Sequence, residues 1–496
     1  IPLRLVGSEM CIRDRYMNLT KPEEFLHISY SKVSSDGKTL RPAYLVWDLK
    51  KLFPKLVVTE EEALLMTQRE LTPGEGLEFV IRGVRDRYLG VDESWKELYT
   101  WYRQNEGQKV DRILDAGFFK KKPDALTGEE AAELYGEKKQ FSVTRMERFS
   151  ACAYAHFLTY GLHLSDRERY EFEAMDLGNI AHQSMERFAR KAQEKRMPWP
   201  KLEEVQRDAM IEESVEESIK DYGNTVLYST ARNEYMIVRI KQLIRRSVWA
   251  LTRQMEKGDF EPSGYEMNFG SGKIDRVDTC EDEDVVYVKV TDYKTGMKSF
   301  DIVALYHGLQ MQLPVYLNAA LELEERRASG KTVEPAGIFY YRIKDPIVDR
   351  EKDDHALEEK ILKELRLDGM INAKEEVIEH LEHQLSGTSV LNPIGKNKDG
   401  SLNRYSKVLP PEAFAAMLSY TKKKEAQVKR QIYAGEVQAN PYELNGSTGC
   451  DYCAYRDICG FDPRLDGYAY RSLEKYSKEE VIRRMEEEIE NREEPS

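Results

Sequence analysis

The chain has 496 residues, enough for two or three domains, and its 41% apolar content supplies sizeable cores, which excludes a disordered protein. No run of 18 apolar residues occurs and no charged start leads into an apolar signal core, so a soluble, cytoplasmic protein is expected. A net charge of -13 excludes a uniformly basic coat for nucleic acid but leaves room for a basic groove.

In chain order, the first segment carries a warning. Glu9 to Arg15, "EMCIRDR", is what a transposase sequencing adapter encodes when translated, so residues 1–15 are expected to be an artefact and Cys11 to have no part in the chemistry. The alternative is a native amphipathic start. Next, "EFLHISYSKV" predicts a strand followed by an Asp-Gly turn and a second extended run. Residues 60–135 read as mixed helix and loop, with "KKKPDALTGEE" as a linker, and the composition changes near 140.

From Phe141 the pattern is α/β. Ser142 caps a helix, a second helix is expected over about 171–194, and a charged helical stretch runs from 202 to 257. Two strand-like runs follow, "MNFGSGKIDRVD" and "DVVYVKVTDYKTG", joined by the acidic turn "TCEDED". A helix over about 302–325, the strand "AGIFYYRI", and charged helices near 356–385 and 411–434 complete a mixed sheet flanked by helices. Residues 466–496 read as a solvated helix fraying into a tail.

The stretch "VTDYKTG" concentrates the chemistry. Alternate residues share a strand face, so Val286, Val288 and Val290 lead to Asp292 and Lys294, a charged pair where the pattern predicts core. Alone, an Asp-x-Lys at a strand end is an ordinary hairpin edge. In context, Asp275 in "GKIDRVD" sits on a neighbouring strand, close enough for two carboxylates to share a divalent cation such as Mg2+, with Glu266 a further candidate ligand. Gly178, His182 and Glu186 are spaced four apart on one helix face, which could turn His182 to the metal, and Gln312 and Tyr316 form an i,i+4 pair suited to holding a nucleotide strand. Each of these pairs alone reads equally as helix surface or packing. Arg276, "KRQIYAG" and "RIKQLIRR" are candidates for phosphate contact.

Cysteine spacing gives a second constellation. Cys450-x2-Cys453-x5-Cys459 and the distant Cys152 supply four thiolates, enough for zinc or an iron-sulfur cluster, and spacing does not choose between them. Such a ligand set would tie the end of a domain to its beginning. Cys280, in the acidic turn, reads as unligated.

The ordered set "GNIAHQSME", "GKIDRVD", "VTDYKTG" and "QLPVY" resembles the RecB-type nucleases of the PD-(D/E)xK superfamily. With Cys152 and "CDYCAYRDIC" added, residues 141–465 resemble the C-terminal part of the AddB family, and residues 16–140 resemble the end of that family's helicase-like region, so that the N-terminal half would be missing. The resemblance implies a restriction-endonuclease-like core in which Asp275, Asp292 and His182 bind Mg2+ and Lys294 activates water. It implies that Gln312 and Tyr316 position the DNA strand and that Cys152, Cys450, Cys453 and Cys459 ligate a 4Fe-4S cluster. It also implies single-stranded DNA ends as substrate, an AddA-type motor as heterodimer partner and a role in preparing broken ends for recombination. No Gly-x-x-x-x-Gly-Lys-Ser/Thr is present, so ATP hydrolysis is not expected of this chain. Two other readings stay open: a free-standing RecB-like nuclease of the CRISPR-associated kind, and a catalytically silent DNA-end-binding scaffold held by a structural metal, zinc included.

Overall fold

The computed structural model describes residues 16–490 except 18, 35–37, 61–71, 87–93, 119–124, 137–140, 166–171, 173, 223–226, 229, 271, 329, 352 and 466. Residues 1–15, including Cys11, lie outside them. The chain forms two compact units that divide between Phe119 and Lys120. Among the described residues, no helix is long and apolar enough to cross a membrane.

The first unit contains helices Tyr44–Leu52, Pro73–Asp86, Trp95–Asn105 and Gly107–Gly117. Its small core gathers Val80, Val84, Tyr102 and Val110. Gly83 lets two of these helices approach, since a Cβ there would meet the Trp95 ring at 2.1 Å. The strand expected from "EFLHISYSKV" does not form. Its one ladder contact is an isolated bridge from Val33 to Thr39, and Phe25 is left 87% exposed. An alternating sequence becomes a strand only where a neighbouring edge accepts its hydrogen bonds, and among the described residues only the bridge at its very end supplies one.

In the second unit a six-stranded mixed sheet runs β1 (Glu261–Asn268), β2 (Lys273–Glu281), β3 (Val285–Lys294), β4 (Thr332–Arg342), β5 (Asp368–Asn372), β6 (Val408–Leu409), side by side in that order. β1–β2–β3 is an antiparallel meander, and β3 and β4 are parallel, joined by a crossover through helices Ile302–Tyr306 and Gln312–Glu325. The first predicted strand run thus holds a hairpin, and the helix expected over 302–325 is broken. The helix expected over 356–385 is also interrupted, because Asp368–Asn372 pairs with β4. Gly369 permits that pairing: a Cβ there would lie 1.9 Å from the Ile338 carbonyl oxygen.

Period two along β3 sends side chains to two cores. Val286, Val288 and Val290 face helices Val143–Ala151, Gln312–Glu325 and Pro411–Tyr433, while Tyr287 and Tyr293 face helices Ala174–Glu194, Glu204–Asp221 and Ala231–Met255. Helix Gly128–Tyr135, which precedes the composition change near 140, contributes Ala131 and Tyr135 to the first core. The C-terminal helix Lys478–Glu490 is not a solvated tail. Its Val481 and Met485 are fully buried in that same core, four residues apart on one face.

A buried histidine makes this unit sensitive to acid. His156 is fully buried, accepts a hydrogen bond from Arg145 Nε at 3.0 Å and lies among Tyr135, Phe149 and Tyr160. Burial, followed by the Arg145 charge, lowers its pKa from 6.5 to about 3. The unfolded chain takes up this proton near pH 6.5 and the folded chain only near pH 3, so the stability His156 contributes is complete above the first value and is lost on falling toward the second. At about pH 5.5 the loss amounts to about 1.4 kcal/mol. We expect His156→Gln, which keeps an acceptor for Arg145, to reduce by about that amount the stability difference between pH 7.5 and pH 5.5 in urea unfolding; an unchanged difference would refute the assignment.

Candidate active site

The meander places three carboxylates in one row. The β2–β3 ladder pairs Arg276 with Thr291, and one step further along the same register Asp275 faces Asp292. The β1–β2 ladder likewise sets Tyr265 opposite Arg276 and Met267 opposite Ile274, so Glu266 stands beside Asp275. A bulge between Pro262 and Gly264 precedes Glu266, which adopts φ +47°, a left-handed conformation that non-glycine residues seldom take and that costs about 1–3 kcal/mol. Strain at the level of the row is a local sign of function.

Each acid has a different surrounding. Asp275 accepts the Tyr293 backbone N–H at 2.7 Å and lies 3.3 Å from His182 Nδ1. Burial disfavours the charged imidazolium of His182, but hydrogen bonding and charge from Asp275 outweigh it and raise the pKa. Glu266 pairs with Lys273 at 2.7 Å, and burial pushes its carboxyl up. His182, Glu266 and Asp275 each present a donor atom within 4.8 Å of the other two, a grouping able to hold a cation. Gly178, one turn before His182, lets the helix come close to the end of β3: a Cβ there would meet Thr295 Oγ1 at 3.0 Å.

Asp292 is 2% exposed, and its two oxygens are treated unequally. Oδ1 accepts from Gln312 Nε2 at 2.8 Å. Oδ2 lies 2.6 Å from the Lys294 ammonium, an ion pair that leaves a second lone pair of this oxygen open to a further partner. Burial, then the charge of Asp275, pushes the Asp292 carboxyl up to about 7. Carboxylates at this spacing repel until a cation is shared between them, which is the electrostatic condition a metal site meets.

Gln312 ties the pair together. It donates to Asp292, accepts from Lys294 Nζ at 3.1 Å and also donates to Tyr316 OH at 3.0 Å. The resemblance assigns Gln312 and Tyr316 to the DNA strand; here Gln312 touches the carboxylate-lysine pair, while Tyr316, 7% exposed, touches Gln312. Glu147, which sequence reasoning missed, accepts the backbone N–H groups of Met311 and Gln312 at 2.8 and 3.0 Å and so fixes the start of the Gln312 helix. Its signal lay in the pattern, since Glu147 follows Val143 by four positions on a helix whose Val143, Met146 and Ser150 are buried. The Tyr340 ring was missed as well, 5.5 Å from Lys294 Nζ and 5.3 Å from Lys298 Nζ.

The phosphate-contact candidates fare differently. Arg276 is 1% exposed, bonded to Asp278 at 2.6 Å and 5.1 Å from the Trp199 ring, with Lys289 completing a buried charge cluster. It points away from the carboxylate row because it is the odd neighbour of Asp275 on the strand, and it cannot reach DNA. In "RIKQLIRR", Arg239 and Arg246 pair with Asp345, Lys241 with Glu216 and Arg245 with Glu212 and Asp208. In "KRQIYAG", Lys429 lies 4.0 Å from Glu425.

The structure brings the four cysteines into one neighbourhood. Cys152, the residue between helices Val143–Ala151 and Ala153–His156, packs with Cys453, Tyr455 and Leu158. Burial pushes the Cys450 thiol up, and the nearby Cys152, Cys453 and Cys459 add to it. The Phe461 backbone N–H donates to Cys459 Sγ at 3.4 Å, an interaction that favours a thiolate. Ala153 N–H on Asn440 Oδ1 and Tyr455 OH on the Leu164 carbonyl lock the two distant segments together.

Comparison with known proteins agrees with this geometry. Residues 140–460 match the family model of the PD-(D/E)XK nuclease superfamily. An ATP-dependent helicase/deoxyribonuclease polypeptide of Lachnoclostridium phytofermentans, the B component of its enzyme, is 37% identical over 486 residues, covering 94% of this chain and 42% of that protein. Its counterpart from Alkaliphilus oremlandii is 32% identical over 506 residues, covering 96% and 44%. The chain therefore spans less than half the length of the curated relatives it matches. With the carboxylate row and its lysine falling inside the matched region, the chain belongs to the PD-(D/E)XK nuclease superfamily.

Proposed function

We propose that this chain is the nuclease-bearing part of an AddB-type protein, a Mg2+-dependent deoxyribonuclease that trims single-stranded ends supplied by an AddA-type motor in the bacterial cytoplasm, before recombinational repair. The observation that carries this is the meeting of Asp275, Asp292, Lys294 and His182 at one end of the sheet. Residues 16–140 belong, on this reading, to the helicase-like part, because the likeness to the helicase/deoxyribonuclease relatives runs through both units while the nuclease family match begins at residue 140.

Asp275, Asp292 and His182, with Glu266 beside them, would hold the cation, and the close His182–Glu266–Asp275 grouping and the repulsion between Asp275 and the buried Asp292 fit that role. When bound, the ion supplies polarisation of the scissile phosphate and a more acidic water. Lys294, aligned by Gln312 and partly open to solvent, orients the attacking water and offsets charge that develops on the phosphate. Gln312 keeps Asp292 and Lys294 at one separation while Tyr316 and Glu147 hold Gln312.

For the cysteines we favour a 4Fe-4S cluster held by Cys152, Cys450, Cys453 and Cys459. A tetrahedral zinc site with Zn–S of about 2.3 Å would draw its sulfurs to about 3.8 Å from one another. Four thiolates are equally the ligand set of a 4Fe-4S core, and the resemblance of "CDYCAYRDIC" to the AddB family favours the cluster.

Three outcomes are expected. Asp292→Ala abolishes Mg2+-dependent cleavage of single-stranded DNA, and Lys294→Ala lowers it by about 10²–10⁴-fold; undiminished cleavage in Asp292→Ala would overturn the assignment of this site, and no cleavage by the parent chain would favour the silent scaffold. Gln312→Ala costs about 10–100-fold in rate, with DNA affinity measured in Ca2+ unchanged if its role is to align the pair and reduced if it grips the strand. After anaerobic purification the chain contains iron and acid-labile sulfide, and Cys453→Ser loses both together with thermal stability; zinc without sulfide would overturn the cluster assignment.

A further inference from the structure

Away from the carboxylate row, at the opposite end of β2, three segments bring together Asp259, Cys280, His380 and His383. Asp259 lies in the turn between helix Ala231–Met255 and β1, Cys280 near the end of β2, and the histidines at and just beyond the end of helix Glu375–Leu381. Asp259, Cys280 and His380 each offer a donor atom within 4.8 Å of the other two. His380 Nδ1 is 2.8 Å from Asp259 Oδ2 and His383 Nε2 is 2.9 Å from Asp259 Oδ1, while Asp282 Oδ2 lies 3.8 Å from His380 Nε2. One carboxylate therefore faces two imidazoles, with a thiol behind them.

We propose that Asp259, Cys280 and His380 form a third metal site, for a Zn2+-class divalent ion, with His383 or Asp282 as the fourth protein donor.

The donor set is the first argument. Sulfur, imidazole nitrogen and carboxylate oxygen are the ligands zinc takes, and a thiol with two histidines is a poor match to Mg2+ or Ca2+. Backbone interlock is the second. Asp259 N–H donates to the His380 carbonyl at 2.8 Å and His383 N–H to the Lys257 carbonyl at 2.8 Å. Gly258 makes this approach feasible, as a Cβ there would lie 2.4 Å from the His380 carbonyl oxygen and 2.6 Å from that of Leu381. The donors are thus positioned by main chain rather than by flexible side chains. Accessibility is the third: the Asp259 and His383 side chains are each 44% exposed, which leaves an entry path, while Cys280 is 4% exposed and protected from oxidation.

The charge around the site also favours a cation, since Asp259, Asp282, Glu261 and Glu281 all act on Cys280. On binding, the Cys280 S–H bond breaks, a metal–sulfur bond forms, and one proton passes to buffer for each ion bound. The ion would then pin the helix Glu375–Leu381 and the β2–β3 turn to the entrance of β1, three segments that otherwise meet through hydrogen bonds.

The test is zinc bound by the 496-residue chain after chelation, addition of a small excess of Zn2+ and gel filtration, with Co2+ as a spectroscopic replacement. Cys280→Ala and His380→Gln are each expected to lose one equivalent of zinc per chain, and Cys280→Ala to lose one thiolate-to-Co2+ charge-transfer band, while iron and sulfide at the cysteine quartet stay unchanged. Cys453→Ser should retain the equivalent that Cys280→Ala loses, which separates the two sites. Zinc should also raise the melting temperature of the parent chain and leave that of both variants unmoved. Equal zinc content in parent and variants, or no zinc retained by the parent, overturns the proposal.

Discussion

A carboxylate that is nearly sealed from water must be matched by positive charge or give up its own, and the second unit is arranged around that requirement at Asp292. The cost arises because β3 is a central strand, flanked by β2 and β4 and covered on both faces, so that any polar side chain on it is desolvated. Lys294 and the side-chain amide of Gln312 answer part of the cost, and the carboxyl's raised pKa marks the remainder. A site held in this way is destabilising by itself. Its stability is supplied by two large cores that have no part in the chemistry.

The two cores also explain why the site can be assembled from distant stretches of sequence. One face of the sheet delivers His182 on a helix that packs beside Tyr293, and the other delivers Gln312 on the crossover between β3 and β4. The strand end is where both faces are reachable within a few ångströms. Glu147 adds a third connection, since it joins the first helix after residue 140 to the start of the crossover helix.

Much of this is legible in the sequence, for identifiable reasons. Strong periodicity announces β3, β4 and the helix bearing His182, and the change from valine to Asp292 and Lys294 marks the point where core gives way to chemistry. What does not show is decided by tertiary partners. Arg276 reads as a phosphate contact because one residue along a strand reverses the face, and only the buried Asp278 and Trp199 reveal which side it takes. The Asp368–Asn372 strand, five residues long, hides inside a helical pattern because the edge of β4 overrides local preference. Glu147 shows only as a carboxylate in register with a buried helix face, because the helix it caps lies 165 residues away and leaves no local mark of its partner.

Cys152 and Cys450 are 298 positions apart, yet they belong to one constellation. At a synthesis rate of about 5–20 residues per second, roughly 15–60 s separate their emergence from the ribosome. All four strands that carry or border the carboxylate row are made within that interval, so they must sort their mixed order, including one parallel pairing, before the closing thiols exist. On the ligand set proposed above, the cysteine quartet would lock strands that are all made before it is complete, and a nascent core stays unlocked until its closing segment arrives.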